Sequence, residues 1–125
     1  MKHLKRFSQI NESISRYDFG LHVNHSEIDE FIYSNTDAID ITDNEEILIK
    51  EILGSNFTIT RHTNYSVIKN KYSYRLIGIH PFGDYCYGLS IGSYEGYSFV
   101  YEELYIIDDF DGLLERLKIE IGKQQ

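Results

Sequence analysis

The sequence predicts a single α+β domain: an antiparallel β-meander of four to five strands, covered by α-helices and closed by an amphipathic C-terminal helix. Three observations lead there. Apolar residues recur every three to four positions before Gly54 and after Asp108, but every second position between Phe57 and Ile107, and these two periods belong to helix and strand. Glycine, proline and asparagine separate the alternating runs, where hairpins turn. With 125 residues the chain can bury one core, and two domains are not expected.

Leu4, Phe7, Ile10 or Asn11, and Ile14 put one apolar stripe on an N-terminal helix ending near Arg16. Residues 1–16 thus read as a helix, or as a leader that can detach from the domain. Tyr17 to His25, with Gly20, reads as a connector. Ser26, followed by Glu27, Asp29 and Glu30, reads as an N-cap with acids in the first turn, opening a helix through Phe31 and Ile32 that fades by Asn35. Asp43 then precedes Glu45 and Glu46, and Ile47, Leu48, Ile49, Ile52 and Leu53 follow before Gly54, the pattern of a capped helix with a broad apolar face.

From Asn56 the period is two. Phe57 and Ile59 alternate with Thr58 and Thr60, and Tyr72, Tyr74 and Leu76 with Ser73, Arg75 and Ile77. Lys69-Asn70-Lys71 reads as a hairpin tip and His80-Pro81-Phe82-Gly83-Asp84 as a second turn. Tyr85, Tyr87, Leu89 and Ile91 share one face of the next strand, opposite Cys86, Gly88, Ser90 and Gly92. Glycines on one strand face imply the close approach of a backbone or a bulky aromatic. Gly92 to Gly96 turns the chain into a strand over Tyr97 to Ile107. Asp108 and Asp109 cap the last helix, whose stripe is Phe110, Leu113, Leu114, Leu117 and Ile121. This helix and the one over Asp43 to Leu53 are expected to cover the sheet, with Leu76, Leu89, Phe99, Leu113, Leu114 and Leu117 in a shared core.

Charge is strongly segregated within a net charge of -8. Lys2, Lys5, Arg6 and Arg16 outweigh Glu12 at the start, whereas residues 17–60 hold ten acids against Lys50 and residues 81–125 hold nine against Arg116, Lys118 and Lys123. Between them, Arg61 to His80 carries four cations and no carboxylate. A field of this sign repels bulk nucleic acid, so any contact with it has to be local. No apolar run approaches the ~20 residues of a membrane span, and no membrane partner is expected. The basic Met1 to Arg6 leads into Phe7-Ser8-Gln9-Ile10-Asn11-Glu12 without the apolar core of a secretory signal. Cys86 is the only cysteine, which rules out an intrachain disulfide or thiolate zinc site and suits a reducing cytoplasm. Ile, Asn, Lys and Tyr abound while Ala38 and Pro81 are the only alanine and proline, a bias that AT-rich codons produce.

No residue constellation amounts to an active site, so no enzyme and no cofactor are expected. His22 and His25 have a spacing that permits metal binding, with Asp18 or Glu27 near, but they lie in a connector and read as surface histidines. Cys86, mid-strand between tyrosines, reads as a small buried side chain. Asp108, Asp109, Asp111 and Gly112 imitate the middle of a calcium loop, yet Lys118 stands where the bidentate glutamate belongs. Two surfaces remain. Asp37, Asp40, Asp43, Glu45 and Glu46 form an acidic tract able to imitate phosphates before a basic nucleic-acid-binding groove. Arg61, Tyr65, Lys69, Lys71, Tyr72, Tyr74 and Arg75 form a basic, tyrosine-rich strip of the kind that stacks unpaired bases and holds phosphates, pointing to RNA or single-stranded DNA.

The opening Met1-Lys2-His3-Leu4-Lys5-Arg6-Phe7, running into Asn11-Glu12, resembles the start of small accessory proteins of tailed bacteriophages, as does the closing passage from tyrosine-rich strands into Asp108-Asp109-Phe110-Asp111-Gly112-Leu113-Leu114. The resemblance implies a non-enzymatic protein of the infected cell's cytoplasm. It would bind and inhibit a host defence protein or ribonucleoprotein complex, in the manner of anti-CRISPR or anti-restriction proteins. A second implication is an internal head protein in the virion interior, because Ile10-Asn11-Glu12 matches the site after which head-protein leaders are cut. A small RNA-binding protein using the basic hairpin is the third expectation.

Overall fold

Five consecutive strands, β2 (Phe57–Arg61), β3 (Ser66–Asn70), β4 (Arg75–Gly83), β5 (Cys86–Glu95) and β6 (Ser98–Ile107), form an antiparallel meander, and a two-residue strand, β1 (Tyr17–Asp18), extends it beside β6. The computed structural model describes residues 17–18, 25–36, 40–83, 86–96 and 98–124. Its helices are α1 (His25–Asn35), α2 (Asp43–Leu53) and α3 (Phe110–Lys123). The sheet order is β1-β6-β5-β4-β3-β2, and the single domain is α+β, as the two apolar periods predict. The N-terminal helix expected before Arg16 lies outside the described residues. None of the described helices is long and apolar enough to cross a membrane.

Strand alternation sorts side chains onto two unlike faces. On one, Phe57, Ile68, Ile77, Ile79, Leu89, Ile91, Tyr105 and Ile107 meet Ile49 and Leu53 of α2 and Leu113, Leu117 and Ile121 of α3 in the main core. One end of each helix is set by the residue that the sequence marks. Asp109 caps α3 by accepting from the Gly112 N–H, and Gly54 ends α2 at a φ of 73°, where a side chain would be strained. The N-cap of α2 is Thr42 rather than Asp43. Its hydroxyl accepts from the Glu45 N–H at 3.1 Å, and the Glu45 carboxylate accepts from the Thr42 N–H at 2.8 Å, a reciprocal capping box.

On the opposite face Ile28 and Ile32 of α1 pack on Phe82, Leu104 and Ile106, a second and smaller cluster that covers only part of the sheet. Leu76 and Phe99, expected in the main core, are on this side. They fall at the alternate positions to Ile77 and Val100, and a period of two cannot place neighbours on one face. The expected close approaches over glycine are present. A Cβ at Gly88 would strike the Phe82 ring, and one at Gly92 the Val100 carbonyl, beside the β-bulge where the β5–β6 register shifts.

Four local expectations are corrected. Tyr17–Asp18 is a strand paired to Ile106 and Tyr105 instead of a connector, and α1 begins at His25, one residue before the expected cap. Asn70 pairs with Phe57 at the end of β3, so the hairpin turns through residues 71–74 and Tyr72 and Tyr74 leave the strand. The cause is the Asn70 side chain, which accepts from the Tyr72 N–H at 2.9 Å and forms an Asx turn. His80, Pro81 and Phe82 likewise belong to β4, with Pro81 opposite Tyr87. The β3 ladder ends at Ile79, so β4 has one neighbour at Pro81 and the missing N–H is tolerated.

Candidate ligand-binding cleft

The basic strip is divided by the alternation that builds the sheet. Arg61 follows Phe57 and Ile59 onto the α2 side, where its Nε donates to Asp40 at 3.0 Å and its Nη1 to Asp43 at 2.7 Å and Glu46 at 3.1 Å. Nη2 donates to the Ile41 carbonyl at 2.6 Å. Arg75 donates to both carboxylate oxygens of Glu102, at 3.1 and 3.0 Å. Both arginines are therefore engaged by carboxylates. Lys69 and Lys71 make no ion pair among the described residues, and Tyr72 and Tyr74 stand 81% and 82% exposed in the β3–β4 turn.

The acidic tract has the matching fate. Asp40, Asp43 and Glu46 close on Arg61, and Glu46 also pairs with Lys50 at 2.8 Å. Lys50, with Arg61 second, holds the Glu46 carboxyl below its usual range, while Asp43 and Asp40 push the Arg61 guanidinium up. Glu45 is occupied by the capping box and by the Tyr87 hydroxyl, which donates to it at 2.6 Å. Asp37 lies outside the described residues. The two candidate surfaces thus meet at one guanidinium. Arg61→Gln is expected to leave three carboxylates facing one another and to lower the melting temperature more at low salt than at ~0.5 M, where charge is screened within a few ångströms. Equal losses at both salt concentrations would show that the clamp acts through packing alone.

What remains open is the face that α1 covers only in part. There the sheet and α1 enclose a cleft of about 960 Å³. Ile32 and Tyr33 of α1 form one wall, and His62, Tyr65 and Lys69 form the other. Tyr94, Phe99 and Tyr101 line its remaining side. His62 stacks on Tyr65 at 4.6 Å between ring centroids, and the near-parallel Tyr65 and His80 rings are 6.0 Å apart. Across the cleft Phe99 meets Tyr101 edge-on at 4.6 Å. His25 latches α1 in place. Its Nδ1 accepts from the Tyr101 backbone N–H at 2.9 Å, and its ring stacks on that of Tyr101.

The floor is polar at one point. His80 Nε2 and Ser90 Oγ are 2.8 Å apart, and both residues are buried. They occupy the space above Gly78, where a Cβ would collide with both. Burial lowers the His80 pKa to about 4, and chiefly burial, then Asp29, raises that of Tyr101 to about 12, so both are neutral near pH 7. Comparison with protein-family models, with curated proteins and with solved structures gives no match. His80 Nδ1 has no hydrogen-bond partner among the described residues. The cleft thus joins an aromatic wall to a neutral polar pair on its floor.

Of the residues expected to bind nucleic acid, Tyr65 and Lys69 reach this cleft, and Arg61 and Arg75 are on the other face. His80, Ser90, Tyr94, Phe99 and Tyr101 were not anticipated as site residues. Continuing the period of two past Ile77 aligns Leu76, Gly78 and His80 with the cleft. Cys86 is half-buried against the α1 cluster, and the described residues contain no group of three metal-ligating side chains. His22 is outside them.

Proposed function

We propose that the protein is a non-enzymatic binding protein whose open sheet face takes unpaired bases of a single RNA or DNA strand, and that it acts stoichiometrically on a nucleic-acid-handling complex. One observation carries this reading: Tyr65, Phe99 and Tyr101 flank a cleft of about 960 Å³ with Lys69 at its wall, which joins π-surfaces for bases to a cation for phosphate. Stacking on such aromatics contributes about 1–3 kcal/mol per base. Asp29 is the only described carboxylate lining the cleft. The acidic tract supports a phosphate-imitating mode less, since Arg61 already engages three of its carboxylates.

Titration of a fluorescein-labelled oligo(U) by anisotropy tests this. Tyr65→Ala is expected to weaken binding by about tenfold. Lys69→Glu with Lys71→Glu should weaken it further and flatten a salt dependence whose slope, for two phosphates on a single strand, is about -1.4 in log–log form. Binding that does not saturate, or that is the same in all variants, would exclude the cleft as a nucleic-acid site.

A further inference from the structure

Resting on the nucleobase reading of this cleft, we infer that the His80–Ser90 pair is an invertible hydrogen-bonding reader that accepts bases of either edge polarity. The geometry sets up two arrangements of one pair. With the imidazole protonated at Nε2, His80 donates to Ser90 Oγ and Nδ1 is free to accept. With the proton on Nδ1, the Ser90 hydroxyl donates to Nε2 and Nδ1–H is free to donate. Each keeps the 2.8 Å bond and each is neutral, so inversion breaks no hydrogen bond between the two residues and moves no net charge. Gly78 supplies the space in which the pair sits. The cleft is the opening that His80 and Ser90 both line. Uracil presents an acceptor at its 4-position and cytosine a donor. The pair meets the first from one arrangement and the second from the other.

Labelled oligo(U) and oligo(C) of equal length separate the outcomes. The wild-type protein is expected to bind the two within a few-fold of each other. Ser90→Ala removes the partner that makes inversion neutral. A buried Nε2–H without an acceptor costs more than a bare lone pair against a methyl group, so the variant should hold Nδ1–H and prefer oligo(U) by about tenfold. Circular dichroism checks that the variant is folded. Wild-type discrimination of tenfold or more between the two oligomers would overturn the inference while leaving the nucleobase reading intact. So would a folded Ser90→Ala that remains indifferent. Failure of the wild type to bind either oligomer would overturn the nucleobase reading and the inference with it.

Discussion

Leu117→Ala is expected to lower the unfolding free energy by about 2 to 5 kcal/mol, the range for emptying a well-packed leucine site, whereas Leu114→Ala should cost distinctly less. The contrast comes from the docking of α3. Leu117 is fully buried in the main core, as is Leu113, while Leu114 is half-buried and packs at the margin of the same cluster. Around Leu117 the helix is held by specific contacts: the Arg116 guanidinium lies 3.7 Å from the centre of the Tyr105 ring and also pairs with the buried Glu120. A backbone pinned in this way collapses little around a deleted side chain, which places the site towards the upper part of the range. Urea unfolding of the two variants beside the wild type measures the difference. Equal losses, or a Leu117→Ala loss under about 1 kcal/mol, would mean that α3 does not seat on this face as described.

His80 should contribute a stability loss of about 3 kcal/mol as pH falls from 6.5 to 4. Burial holds its pKa at about 4 in the folded protein, against about 6.5 in an unfolded chain. Between those values the unfolded chain carries the proton and the folded one does not, so stability falls as pH falls through that window and levels off below it. Above pH 6.5 both states are neutral and the residue adds no pH dependence. His80→Gln keeps a side chain able to hydrogen-bond Ser90 but removes the titration, so its stability should decline much less between pH 6.5 and 4. Glu46, whose folded pKa is lowered by Lys50 and Arg61, contributes stability that is lost only as pH falls through its own lower value. An identical acid slope in His80→Gln and wild type would show that His80 is already hydrated or charged in the folded state.

Much of the fold is legible because its signals are local. Gly54 and Asp109 mark helix ends through backbone conformation and a nearby N–H, and the stripe from Phe110 to Ile121 needs only helical geometry to be read. Gly88 and Gly92 announce the rings and backbone that lie over them. β1 is invisible for the converse reason. A two-residue strand has no period, and its partners Tyr105 and Ile106 are far along the chain. Pro81 conceals the end of β4, since a proline followed by glycine and aspartate reads as a turn wherever the neighbouring strand happens to stop.

Residue spacing within single elements is enough to predict the α+β class, the two covering helices, the meander and the side-chain alternation along each strand. Only the tertiary structure decided which face α2 and α3 cover, and so which face is left open to become a cleft. It also sets that Arg61 meets Asp40, Asp43 and Glu46, which are 21, 18 and 15 positions before it, and that His80 meets Ser90 over Gly78. Residue spacing cannot supply those pairings. A side chain's face follows from its own strand, but its partner is set by the register and packing of elements distant along the chain.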